Sequence, residues 1–149
     1  MRKEKEKHNL EMEQLAQDLI ATLRESLLVL DGELCVRVAN RAFYRTFQAE
    51  PEEVDGHGLY ELGNGQWNIP QLRQALQEIV AQGTPLEDFA VEQQFPHIGH
   101  KVMLINARRV EREAGAEPLI LIAIDDVTEQ RQAAATIQTY LHKLEWSNR

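Results

Sequence analysis

The chain contains a single cysteine, Cys35, which excludes an internal disulfide and any multi-cysteine metal site. It also lacks an excess of basic residues. Sixteen Lys and Arg stand against 24 Asp and Glu, a net charge of -8. Non-specific nucleic-acid binding depends on neutralising phosphates with cations, so this balance argues against a nucleic-acid partner. The basic start, Arg2-Lys3-Glu4-Lys5-Glu6-Lys7, is broken by acids and reads as a solvated helix end. No apolar run reaches membrane-spanning length and no signal-peptide core is present. The segment therefore reads as cytoplasmic and not membrane-inserted, whatever anchor a longer parent carries. A Gly-rich phosphate loop is missing too, which argues against nucleotide-dependent catalysis by this chain. The five histidines, His8, His57, His97, His100 and His142, show no metal-ligand spacing.

What is present is a change of period near the C-terminus. Leu119 to Ile124 reads LILIAI, a short run rich in β-branched residues that predicts a buried strand. Directly after Asp126-Val127-Thr128 the period becomes seven. Val127, Ala134, Leu141 and Asn148 take one seam position of a heptad, and Gln130, Ile137 and Leu144 take the other. A strand thus runs without a loop into a helix patterned to pair with another helix. Gln130, Ala134 and Asn148 weaken that seam while polar entries set its register, which suits a pair that shifts between two arrangements. Asp126 and Thr128 stand where a side chain can accept hydrogen bonds from unpaired backbone amides at a helix start.

The remaining elements follow in order. Residues 1–27 form an N-terminal amphipathic helix, with Met12, Leu15, Leu19 and Leu23 in one stripe and Ala16, Ile20 and Leu27 widening it. That stripe covers a domain face, pairs with a second copy, or does both. Two β-rich runs around Asp31-Gly32 predict a hairpin. Cys35 lies in the second run and reads as a small buried hydrophobe. Asn40 is placed as a helix N-cap, Pro51 and Pro70 open two further helices, and Gly83 closes the second. Phe89 to Phe95, Val102 to Val110 and Leu119 to Asp126 predict three more strands. The sum is an α+β domain over 28–126, an antiparallel sheet with helices on one face, and a coiled-coil helix over 127–149.

The segment Val38-Ala39-Asn40-Arg41-Ala42-Phe43 after the hairpin and Asp126-Val127-Thr128-Glu129 at the end resemble a PAS domain across Ser26 to Glu129. The stretches GLYELGNGQWNIPQL, DFAVEQQFPHIGHKVMLINARR and LILIAIDDVTEQR are similar to the PAS subgroup of bacterial sensor histidine kinases. The resemblance implies a five-stranded PAS fold in a two-component sensor. It makes Asp126 and Thr128 the signal-transmission residues. It also implies a homodimer through Leu15, Leu19, Leu23, Val127, Ile137, Leu141 and Leu144, feeding a kinase domain in cis. Flavin-adduct members need a cysteine in the helical middle and common haem members a histidine on the long helix. Gly56 to Gln82 holds no cysteine and Ile69 to Gln82 no histidine, so no cofactor is expected. His142 lacks the acid and downstream proline of a phosphoacceptor, as Lys143-Leu144-Glu145-Trp146 follows.

Trp67, Tyr60, Phe89 and Phe95 either fill a core or line a small ligand cavity, the core reading coming first. Asn106 and Arg108 break the alternation of their strand and face solvent or a ligand. The leading expectation is a non-enzymatic regulatory module of a sensor kinase. The alternatives are a small-molecule or cofactor sensor with another output, such as a diguanylate cyclase or a transcription regulator, and a purely architectural dimerisation domain.

Overall fold

The structure, a computed structural model, describes residues 2–22, 25–113 and 115–147. Its elements are α1 (Arg2–Thr22), β1 (Ser26–Leu30), β2 (Val36–Ala39), α2 (Arg41–Phe47), α3 (Pro51–Val54), a 3-10 turn (Leu59–Glu61), α4 (Pro70–Gln82), β3 (Leu86–Phe95), β4 (Gly99–Val110), β5 (Leu119–Asp126) and α5 (Thr128–Ser147). The five strands form one sheet in the order β2-β1-β5-β4-β3, with every neighbouring pair antiparallel. The α+β expectation holds.

The strand pattern explains the layering. Along β5, Ile120, Ile122 and Ile124 are buried on one face while Leu121 and Ala123 are half-buried on the other. Leu28 and Leu30 of β1 and Met103, Ile105 and Ala107 of β4 join the same buried face. Phe43 and Phe47 of α2 and Leu72, Leu76 and Ile79 of α4 close over it. Asn106 and Arg108 fall on the opposite face, which accounts for the break in alternation. The Asn106 side-chain Oδ1 accepts the Asp88 amide at 3.0 Å, beside a register shift in β3 where Asp88 has φ +52°.

Three local expectations change. The first helix ends at Thr22, not at residue 27, because Ser26 and Leu27 pair with Ile124 and Ala123 as the start of β1. Leu27 belongs to the sheet, where it is buried. The hairpin forms, with β1 antiparallel to β2, but its connection runs on to Cys35. The Asp31 carboxylate accepts the amides of Glu33 (2.9 Å) and Cys35 (3.0 Å), and Leu34 takes the positive φ of +65°. Cys35 consequently sits outside the β1–β2 ladder, half-buried, in an isolated bridge to Gly58. The Val36 amide donates to the His57 carbonyl and the Gly56 amide to the Val36 carbonyl. The glycine-rich stretch is therefore stitched to the edge of β2.

Candidate functional site

The joint between β5 and α5 is built from two neighbouring strands, β4 and β5. Asp126 ends β5 opposite Met103 of β4, so its side chain reaches the helix start without a loop. Its Oδ1 accepts the Thr128 amide at 3.0 Å and the Thr128 hydroxyl at 2.6 Å. That answers one of the orphan amides of the first helical turn. With its proton on Asp126, Thr128 Oγ1 is free to accept, and it takes the Val102 amide of β4 at 2.8 Å. The Val127 amide donates to the Val102 carbonyl at 3.0 Å. Thr128 is only 5% exposed, so these bonds are shielded from competing water. Lys101 Nζ stands 4.0 Å from the other Asp126 oxygen, a partly exposed pair that contributes little.

Asp126 and Thr128 thus meet as the motif predicts, with one difference. Local capping logic gives Thr128 a partner in its own helix, whereas its hydroxyl accepts from a strand 26 residues earlier. The residues missed by sequence reasoning are Val102 and Lys101. Both are on β4, and their proximity is a product of strand pairing.

Beyond the joint, α5 presents Ile137, Leu141 and Leu144 at 59%, 53% and 42% exposure, with Tyr140 alongside. Leu15 and Leu19 of α1 are exposed as well, together with Leu10 and Met12. Val127 differs from the other seam residues. It is half-buried and its backbone is committed to β4, so the projecting seam starts after it. Leu23 and Asn148 lie outside the described residues.

The N-cap expectation at Asn40 is met and extended. Its Oδ1 accepts the amides of Phe43 and Leu27, each at 3.0 Å, and its Nδ2 donates to the Glu25 carbonyl at 2.8 Å. One buried amide therefore caps α2 and also ties it to the start of β1.

Interior chemistry centres on aromatics. Phe47, Trp67 and Phe95 form a mutual triad with centroids 5.2 to 5.7 Å apart, and Phe43 stacks on Phe47 at 4.7 Å. Trp67 is 1% exposed, so this set is packed core. Arg73 lies over the Tyr60 ring at 4.6 Å. The Tyr60 hydroxyl is buried with no hydrogen-bond partner among the described residues, and burial raises the pKa of its phenol while Arg73 opposes that shift. A cavity of about 210 Å³ opens on the far side of the triad. It is bounded by α2, α3, the 62–67 segment and the β3–β4 turn. Cys35 is remote from α4 in sequence, and its thiol is pushed up by burial and then by Asp31, Glu33 and Glu61. This environment disfavours a reactive thiolate. Among the described residues, no group of three or more His, Cys, Asp or Glu side chains could hold a metal ion. Among the same residues, no helix is long and apolar enough to cross a membrane.

Comparison with known proteins places this architecture. The chain resembles the PAS domain of Bordetella pertussis BvgS at 20% identity and a TM-score of 0.58, covering 92% of this chain and 98% of that one. A PAS domain from a two-component sensor histidine kinase matches at 12% identity and a TM-score of 0.59, covering 80% and 98%. An RNA-binding Light-Oxygen-Voltage receptor matches at 17% identity and a TM-score of 0.70, covering 87% of this chain, which spans 37% of that receptor. No curated protein matches in sequence. The family model described as PAS fold matches residues 21–132, from the end of α1 through the first turn of α5. The chain belongs to the PAS fold family.

Proposed function

We propose that this chain is the cytoplasmic regulatory input module of a two-component sensor histidine kinase. In this reading it has no chemistry of its own and needs no flavin adduct or haem. It dimerises through the apolar stripes of α1 and α5 and passes a change in its sheet to a kinase core through Asp126 and Thr128. The observation that carries the reading is the joint itself. Thr128 holds β4, β5 and α5 at one buried point, so a shift of either strand is felt at the helix start. A cap of this kind contributes on the order of 1 kcal/mol, small enough for a rearranging sheet to overcome. The exposed seam residues on α5 support pairing with a second copy, since an apolar stripe of this kind favours burial against another helix. The likeness to PAS domains of BvgS and of a two-component sensor histidine kinase supports the choice of output.

The test joins residues 1–149 in frame to a histidine-kinase core and compares autophosphorylation of the parent with Asp126→Ala and Thr128→Val. Altered kinase output with an intact fold supports transmission. Unchanged output with an intact fold favours an architectural dimerisation domain.

A further inference from the structure

The cavity beside the aromatic triad has a composition that selects a ligand. Its volume of about 210 Å³ exceeds the ~150 Å³ of an apolar cavity known to admit benzene. Phe43, Phe47 and Trp67 form the aromatic part of its lining, each buried, and Val54 and Leu62 add aliphatic surface. Glu53 and His97 supply polar groups at its exposed edge. The Glu53 carboxylate has no hydrogen-bond or ion-pair partner among the described residues. No Lys or Arg lines the cavity, and Glu50, Glu52 and Asp55 flank Glu53 in the chain. Glu53 is thus the one carboxylate of a lining without Lys or Arg, an arrangement that favours a cation over an organic anion there. Aromatic faces attract cations as well, more strongly where water is excluded.

We propose that this cavity binds a small organic cation, a benzene-sized ring or branched aliphatic group bearing a protonated amine. The apolar part packs against Phe43, Phe47 and Trp67, and the ammonium meets Glu53. The site goes beyond the kinase reading, because binding is independent of which output domain follows. Pro96 and His97 of the cavity wall lie on the turn that leads into β4, six and five residues before the Val102 that holds Thr128.

Trp67 and Trp146 are the two tryptophans, so Trp146→Phe leaves Trp67 as an internal reporter. In that background the full chain is titrated with benzylamine, benzyl alcohol and phenylacetate, following Trp67 emission and the thermal midpoint. Benzylamine should give a saturable change with a Kd on the order of a millimolar or tighter. Benzyl alcohol should bind about three- to fivefold more weakly, as expected for loss of one partly exposed charge pair, and phenylacetate more weakly still. Glu53→Gln, an exposed change, should bring benzylamine down to the level of benzyl alcohol. Ala49→Leu should fill the cavity and abolish both while circular dichroism stays native. Absence of a saturable benzylamine response, equal binding of phenylacetate, or unchanged affinity in Glu53→Gln would overturn the proposal.

Discussion

β5 and α5 are one unbroken segment with opposite fates. Ile120, Ile122 and Ile124 are at most 2% exposed, whereas Ile137, Leu141 and Leu144 are at least 42% exposed. Both sets are branched aliphatic residues, and the period changes from two to seven. In the strand, an apolar residue on every second position meets the face covered by α2 and α4. In the helix, the same chemistry forms a stripe that no other described residue buries. The difference teaches where self-sufficiency ends. The domain buries its own apolar residues up to Asp126, and beyond Thr128 the apolar stripe is left exposed.

The sharpest way to break this comparison is a matched truncation. Ile122→Ala should lower unfolding free energy by about 2–5 kcal/mol, measured by urea denaturation, because it opens a cavity in the packed face. Leu141→Ala removes apolar atoms of the same kind from α5. It should change stability by less than about 0.5 kcal/mol under dilute conditions, while reducing association at high concentration. Equal costs for the two at low concentration would show that α5 packs on its own domain.

The next effect lies at the joint. Thr128→Val keeps the shape but strands the Val102 amide and removes the hydroxyl from Asp126. The expected loss is about 1–3 kcal/mol, with Thr128→Ser retaining most of the stability in the same denaturation assay. Asn40→Ala should cost about 1–2 kcal/mol by losing the α2 cap. Amide exchange at Leu27 and Phe43 should rise with it, since both donate to Asn40. The smallest effect has the opposite sign. Tyr60→Phe removes a buried hydroxyl with no partner among the described residues and should raise stability by up to about 1 kcal/mol, read as a higher thermal midpoint.

The order of elements was legible in the sequence because each one carries its own period and its own punctuation. Pro70 and Gly83 frame α4, Asn40 starts α2, and the alternation in LILIAI matches the burial of β5. The parts that were not legible depend on contacts distant in the chain. Thr128 reads as a local cap, and only the pairing of β4 with β5 shows that Val102 supplies its second partner. Leu27 fits a helical stripe by spacing, yet its pairing with Ala123 places it in the sheet. The hairpin around Asp31-Gly32 forms as read, but its turn is built by the Asp31 carboxylate, which gathers two amides, and by Leu34 in the left-handed region. For the candidate ligand site, the aromatics named from sequence turned out to be split. Trp67 and Phe95 are packed into a triad, and the open volume lies behind it, where Phe43 and Glu53 face the same space. Pattern alone cannot place a void, because a void is what remains after side chains from several elements have been packed.

The central claim is that Thr128 couples the sheet to a helix that pairs between copies. Sedimentation equilibrium of the full chain tests it most directly, comparing the dimer dissociation constants of the parent, Thr128→Val, Thr128→Ser and Leu141→Ala. The account predicts a dimer that Leu141→Ala weakens, that Thr128→Val also weakens although residue 128 is buried away from the seam, and that Thr128→Ser preserves. A monomer at all concentrations would contradict it, and so would a Thr128→Val dimer indistinguishable from the parent.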